Sequence, residues 1–375
     1  MEKLTSWHDR SCSSLAPMSK RRWVITGRLD EKPYETEGIC ASGLREGQPV
    51  GPGQLAHGTG DCYMLDAEEL DLPCGSMTTS ELLAKIIEFR GQLFNTPADS
   101  DNTGNDNTAL WLEYFVKHNH TFGIVHAWAT ACYTNPGLRK RRPQEFHESL
   151  VQFNGPRFSD RFHIDASGNQ TIKQPHDLTP RRIWDVCSHR VIPFEWFGEE
   201  DYQKTLWTRC RPISHSWTAF TDRQFLMSPV NNYQWPVPLP TGMALETVRE
   251  QVLKMNCPYS WLDVICLRQE FKERPDLEAV RGEEWKVDVP TIGFIYSCAE
   301  FVITYFNGLG RPFSTSGLDY ERHWLKRVWT YQETVRPNKI LVGGLTHETP
   351  HPLKEPQVGG TKRSDGVVIC LQRRS

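Results

Sequence analysis

Cys257-Pro-Tyr-Ser-Trp-Leu-Asp-Val-Ile-Cys-Leu-Arg-Gln269 places an acid, Asp263, inside an apolar, strand-like run. A buried carboxylate is costly unless it is paired or hydrogen-bonded. Its neighbourhood must therefore supply a partner. Two further stretches share this mixture of apolar, aromatic and polar residues. Pro212-Ile-Ser-His-Ser-Trp217 precedes it, and His323-Trp-Leu-Lys-Arg-Val-Trp-Thr-Tyr-Gln-Glu333 follows it.

Outward from these blocks, the chain after Pro180 alternates short apolar runs with amphipathic ones. Strands are expected at Arg182–Cys187, Arg190–Pro193, Ile213–Trp217, Tyr259–Leu267, Glu300–Phe306 and Lys339–Val342. Helices are expected at Met243–Met255, Pro290–Cys298 and Tyr320–Thr334, with Pro290 tolerated in a first turn. This βαβ alternation predicts an α/β domain with a mostly parallel sheet flanked by helices.

The first 180 residues read as a loop-rich, partly helical extension. Its firmest helix opens at Thr78-Thr-Ser-Glu81, where Thr78 and Glu81 can satisfy each other's backbone donors. Leu82, Leu83, Ile86, Ile87, Phe89, Leu93 and Phe94 then form one apolar stripe. Two more helical pieces are expected at Ala109–Val116 and Phe122–Tyr133. The polar run from Leu345 predicts a disordered tail and a shortened product. The expected division is 1–180, an extension; 181–344, the α/β domain; and 345–375, the tail.

Composition narrows the function classes. The 375 residues carry a formal charge of −3, 13 Trp, 27 Gly and 25 Pro, with an isoelectric point near 6.5 and mean hydropathy of −0.54. No net positive field draws the chain to nucleic acid or an anionic membrane. The first residues lack the apolar core of a secretory leader, and no run reaches the roughly eighteen apolar residues of a span. Eleven cysteines without a Cys-x-x-Cys pair predict free thiols and a cytoplasmic setting.

The blocks, taken in order, resemble the fungal heterokaryon-incompatibility (HET) domain. Ile213-Ser-His-Ser-Trp217 matches its first block, with Ser214 and Trp217 in place and Thr218 where the family has Gly. Trp261, Asp263, Cys266 and Gln269 fill a Trp-x-Asp-x-x-Cys-x-x-Gln pattern. Ile295, Tyr296 and Ala299 match a third block. Trp324, Arg327, Trp329, Thr330, Gln332 and Glu333 match the last. The segment from Arg181 to Pro193 is similar to the family's lead-in.

The resemblance implies a fold like Toll/interleukin-receptor (TIR) or flavodoxin-like domains. It also implies a part in non-self recognition, innate immunity and programmed cell death. Protein partners or self-association are then expected, with no nucleic acid and no membrane. Since some TIR-like domains hydrolyse NAD, the alternative is an NAD glycohydrolase using Glu333 or Asp263.

Residue chemistry sharpens both readings. If Asp263 lies on a strand, it shares a face with Trp261 and Ile265, and Arg327 or His215 is its expected partner. A carboxylate at Glu333, or at Glu270, could stabilise an oxocarbenium-like centre; a capping or exposed role is the plainer account. Trp324, Val328 and Tyr331 form a helical stripe, expected in the core with Trp261 and Trp329. Ser214, His215 and Ser216 alternate across a strand, which opposes a Ser–His nucleophile. Cys266, flanked by Ile265 and Leu267, is expected to be buried and inert. His118/His120 and His347/His351 lack cysteines at zinc spacing, so no metal is expected. Arg139–Arg142 reads as a solvated loop, and Gly359–Lys362 lacks full phosphate-loop spacing.

Overall fold

The computed structural model describes residues 67–90, 107–144, 162–172, 179–197, 206–207, 210–254, 257–299, 301–314, 323–324 and 339–344. All belong to one unit, Pro33–Pro350. Helices α1 (Ala67–Leu70), α2 (Thr79–Arg90), α3 (Thr108–Lys117) and α4 (Phe122–Thr134) come first. Strands β1 (Phe162–Ile164), β2 (Gln170–Ile172), β3 (Arg182–Asp185), β4 (Arg190–Pro193), β5 (Ile213–His215), β6 (Arg223–Leu226) and β7 (Val237–Pro240) follow. The remainder is α5 (Leu245–Lys254), β8 (Tyr259–Ser260), α6 (Asp263–Cys266), α7 (Glu278–Cys298), β9 (Phe301–Tyr305) and β10 (Lys339–Val342).

The Thr78 capping box forms as its sequence requires. Thr78 N–H donates to Glu81 Oε2 at 2.8 Å, and Glu81 N–H donates to Thr78 Oγ1 at 3.2 Å. Leu82 and Ile86 of the expected stripe are buried; Leu93 and Phe94 lie outside the described residues. Helix α3 buries Trp111 and Phe115 against Trp128 of α4, with ring centroids 5.4–5.6 Å apart. This helical layer is tied to the edge of the α/β part by one buried cation. Arg190 donates to Thr121 Oγ1 (3.1 Å), to the Leu70 carbonyl (2.8 Å) and to Asp71. Gly123 leaves room for it, since a Cβ there would meet Arg190 Cζ at 2.8 Å.

The sheets are mixed. β5, β9 and β10 run parallel in the order β10-β9-β5, whereas β4, β3 and β8 pair antiparallel. A parallel bridge between Cys210 and Tyr259 joins the two sets. It is reinforced by Arg211 N–H to the Tyr259 carbonyl (3.0 Å) and Ile213 N–H to the Trp261 carbonyl (2.8 Å). Taken in chain order, β5, β8, β9 and β10 therefore stand second-first-third-fourth in space. β5 and β9 are buried on both faces, as interior parallel strands are.

The structure corrects several expectations. The sheet is not mostly parallel, because β3 and β4 add an antiparallel edge. The run Tyr259–Leu267 is not one strand. It leaves the sheet after Ser260, and Asp263 opens a one-turn helix. Asp263 Oδ1 accepts the N–H of Val264 at 2.8 Å, a local side-chain bond that competes with a β-ladder. The expected shared face of Trp261, Asp263 and Ile265 is lost with the strand. α7 begins at Glu278, well before Pro290, which sits inside it. Pro290 is on an exposed face, where water can meet the carbonyl it frees. Six cysteines (Cys74, Cys132, Cys210, Cys257, Cys266 and Cys298) are free, but Cys187 is disulfide-bonded. Of the helix expected at Tyr320–Thr334, only His323 and Trp324 are described. The expected tail lies outside the described residues.

A buried charge cluster fixes how β3, α6 and α7 meet. Arg182 donates to both Glu284 oxygens at 2.8 and 3.0 Å, and to the Cys266 carbonyl at 3.1 Å. Arg268 reaches Glu284 at 3.4 Å, and both guanidinium groups lie over the Trp235 ring at 4.9 and 5.0 Å. Beside them, Arg181 pairs with Asp288 at 2.8 Å. Burial favours a neutral Glu284, but Arg182, Arg268 and Arg181 together hold its carboxyl below the ordinary value. Burial likewise pushes Arg182 down to about 10 against the pull of Glu284.

The β3–β4 turn carries a second such group. Asp185 Oδ1 accepts the N–H groups of Cys187 and Ser188 at 3.0 Å, and His189 adopts a left-handed φ of 51°. Burial pushes His189 down to about 4, despite Glu246 at 3.6 Å.

Two outcomes follow from these groups. Glu284→Gln leaves Arg182 uncompensated and should cost about 3–5 kcal/mol in urea unfolding. Glu278→Gln, at an exposed pair on the same helix, should cost less than about 1 kcal/mol. For His189, the unfolded ring takes its proton near its ordinary value while the folded ring resists until about 4. Stability should therefore fall as pH drops from about 6.5 toward 4. His189→Asn, which tolerates the left-handed backbone, should flatten that slope in pH-dependent thermal melts.

Candidate functional site

The site forms where β5 ends and β8 turns into α6. Successive β5 side chains alternate, so Ser214 and His215 face opposite sides of the sheet. Ser214 Oγ accepts the indole N–H of Trp324 at 2.6 Å, and Trp324 packs edge-on against Phe306 at 5.1 Å. On the other side, His215 Nε2 lies 2.7 Å from Asp263 Oδ1. Its Nδ1 lies 3.2 Å from the Ser216 carbonyl. Both partners are acceptors, and the ring donates to Asp263 through Nε2–H.

Asp263 is the hub. Its Oδ1 accepts from His215 and from Val264 N–H, and its Oδ2 accepts from Trp217 Nε1 at 2.9 Å. Gln269 then closes the turn, donating to the carbonyls of Asp263 (3.1 Å) and Leu267 (2.9 Å). Tyr296 on α7 donates its hydroxyl to the Ile213 carbonyl at 3.0 Å and meets Trp261 edge-on at 6.0 Å. Cys266 is fully buried, which pushes its thiol up to about 12. Arg182 lies close enough to lower it, but burial outweighs that cation. The burial expected from its apolar flanks is what the site shows.

Eight of the motif residues thus share one neighbourhood: Ser214, Trp217, Trp261, Asp263, Cys266, Gln269, Tyr296 and Trp324. Arg327, Trp329, Gln332 and Glu333 lie outside the described residues. Of the two partners expected for Asp263, His215 takes the role. Ser214 and His215 form no nucleophile–base pair, because Ser214 is bound to Trp324 on the far side. Glu270 is exposed.

Thr218 fits without the backbone freedom of glycine. It is absent from the positive-φ residues, its hydroxyl donates to the Asp222 carbonyl at 3.2 Å, and its carbonyl accepts Arg223 Nε at 2.9 Å. The close approach falls to Gly308 instead, whose φ is 111° and whose added Cβ would meet Thr218 Cγ2 at 3.0 Å.

One member was not legible in the sequence. Arg223 lies over the Trp217 ring at 4.7 Å, worth about 0.5–2 kcal/mol as a cation–π contact. Nothing in its local pattern signals this, since the contact depends on β6 folding back toward Trp217.

Chemically, the arrangement suits shape-holding better than proton transfer. Both Asp263 oxygens are occupied, and its side chain is 22% exposed. Among the described residues, no group of three or more His, Cys, Asp or Glu is placed to hold a metal ion. No described helix is long and apolar enough to cross a membrane. Comparison with protein-family models, curated proteins and solved structures finds no match to this chain.

Asp263→Asn should expose the arrangement's main weakness. The amide keeps one acceptor, but its NH2 then opposes an N–H of His215 or Trp217. A loss of about 1.5–3 kcal/mol is expected in urea unfolding, with a red-shifted tryptophan emission. Glu270→Gln should change neither.

Proposed function

We propose that this chain is a HET-domain protein, a cytoplasmic signalling effector in fungal non-self recognition. It triggers programmed cell death through self-association or a protein partner. One observation carries the reading. Residues from separate sequence blocks, matched on resemblance alone, meet around the end of β5: Trp217 and Gln269 bond to Asp263 on one side, Trp324 bonds to Ser214 on the other, and Tyr296 bonds to the Ile213 carbonyl between them. Ser214 and Trp217, Asp263 and Gln269, Tyr296, and Trp324 come from four such blocks. Unrelated matches scattered over more than a hundred residues have no reason to converge.

Support for a TIR/flavodoxin-like arrangement comes from the strand order. Doubly wound sheets of that type run second-first-third-fourth, with sites near the carboxyl ends of their strands. The order of β8, β5, β9 and β10 agrees, and the Asp263 cluster sits at such ends. The antiparallel β3 and β4 are additions to that plan.

The three hydrogen bonds that Asp263 accepts favour a structural over a catalytic role for this carboxylate; Glu333, the other candidate of the NAD glycohydrolase alternative, lies outside the described residues. A general base or nucleophile needs a free lone pair near its substrate. Asp263 accepts from His215 and Val264 at Oδ1 and from Trp217 at Oδ2, contacts that hold it in place rather than aim it at a substrate.

Inducible expression in a filamentous fungus tests the reading. Growth arrest and vital-dye uptake are expected from the unchanged chain, and their loss from His215→Ala at equal protein level. Cellular NAD should hold steady until membranes fail. Survival despite ample folded protein would sink the proposal. NAD loss before death, reproduced by the purified protein, would replace it with the enzymatic alternative.

A further inference from the structure

Next to the site, β6 and β7 form an isolated two-stranded ribbon. Its register pairs Arg223 with Pro240, Gln224 with Leu239, Phe225 with Pro238 and Leu226 with Val237. Proline has no N–H, so the pairs at Pro238 and Pro240 cannot exchange two ladder bonds. The bonded pairs are therefore those of Gln224 and Leu226. By alternation, the N–H and C=O of Phe225 point away from β7, toward the outer edge of β6.

The two edges of the ribbon differ sharply. On β7 the outward positions are the prolines, which offer no donors and seal that edge. β6 carries no proline, no lysine and no bulge, the usual guards of a free edge. Its surroundings are apolar instead. Phe220 is 57% exposed, Phe225 and Leu226 are each 43% exposed, and Met227 is 41% exposed. Phe220 and Phe225 lie ring to ring at 5.4 Å.

The charges at this edge are already engaged. Arg223 is spent on Trp217 and the Thr218 carbonyl, Asp222 on Arg311 at 2.7 Å, and Lys272 lies over the Phe220 ring at 5.6 Å. Nothing there calls for an acidic or basic peptide. What fits is another neutral, apolar edge with its own unpaired N–H and C=O.

The geometry points to a second copy of this chain as the occupant, its β6 pairing antiparallel with β6 about a two-fold axis at Phe225. This inference rests on the self-association arm of the functional reading and names its surface. Across that axis Phe225 faces its own mate, and the pair exchanges two backbone hydrogen bonds. Arg223 faces Met227, and Gln224 faces Leu226, so no like charges meet. Parallel pairing in register would instead set Arg223 against Arg223. The antiparallel arrangement also brings two Phe220–Phe225 pairs onto one face, where they cover each other from water.

Sedimentation velocity of the full chain is the test. The unchanged chain should form a reversible dimer, and Phe225→Lys should weaken it by about tenfold or more with an unaltered thermal midpoint. That pairing sets opposed Cα atoms about 5.5 Å apart, within disulfide reach. Phe225→Cys should therefore give an oxidised dimer above the background of the unchanged chain, while Ile164→Cys, exposed on β1, should not. A chain that stays monomeric up to about 100 µM, or a dimer that Phe225→Lys leaves intact, overturns the inference. Should Phe225→Lys fail to fold, the cysteine pair decides: a cross-link at 225 alone supports the interface, and none overturns it. A dimer broken by Phe225→Lys with cell death unimpaired keeps the interface and removes self-association from the signalling reading. No dimer with cell death intact removes the interface alone.

Discussion

A carboxylate sealed from water must be neutralised by what the fold brings to it, and Glu284 is the strongest case in this protein. Its partners come from distant parts of the chain. Arg182 belongs to the first strand of the mixed sheet, Arg268 to the loop after α6, and Glu284 itself to α7. Burying Glu284 without Arg182 would strand a charge, which couples the packing of α7 to that of β3. The cluster also orients the site. Arg182 holds the Cys266 carbonyl, and the Trp285 indole holds the Arg268 carbonyl at 2.7 Å. The peptide segment that begins at Asp263 is thus clamped at its far end by groups that cannot move without exposing charge.

Asp263 shows the same logic at lower cost. It is only partly buried, so water offsets some of its desolvation, and three donors complete it. Those donors explain why a helix turn replaces a strand there. A carboxylate that caps its own following N–H and reaches back to β5 needs the chain to turn at that point. The same turn brings Gln269 within reach of the Asp263 carbonyl. The spacing of Asp263, Cys266 and Gln269 is therefore helical in its first step and loop-like in its second. One residue points to β5, one into the core, and one back along the turn.

Local patterns were legible in the sequence where they depended on neighbours in the chain. The Thr78–Glu81 box, the strands at Arg190–Pro193 and Lys339–Val342, and the helix now bounded by Leu245 and Lys254 all fall in that class. The partner of Asp263 was legible as well, because His215 was one of the two basic groups expected to pair with it. What stayed hidden was set by contacts across the fold. Leu262–Cys266 has strand-like residues, and only the bond between Ile213 and Trp261 marks where the ladder stops. Pro290 signals a helix start, yet α7 begins earlier because its buried face, with Glu284 and Val287, is fixed by the sheet. The disulfide at Cys187 and the place of Arg223 over Trp217 likewise follow from folding rather than from spacing.

The ribbon and the site form one continuous set of contacts. Arg223 on β6 stacks on Trp217, Trp217 donates to Asp263, and Asp263 holds the end of β5 through His215. Contiguity of this kind does not by itself make a switch, because a switch needs two arrangements of comparable energy. Here the chain is anchored at its inner end by the Glu284 cluster and at the ribbon by the Gln224 side chain, which donates to the Met243 carbonyl at 2.7 Å. With both ends fixed, the economical arrangement is a rigid one: the Asp263 cluster presents the β6 edge in a set orientation, and a partner meets it already formed. A pre-formed edge spares the ordering entropy that a loop would lose on binding. On that view the polar residues of the motif blocks serve the surface beside them. They are conspicuous in the sequence because they hold a turn beside the exposed apolar strand β6.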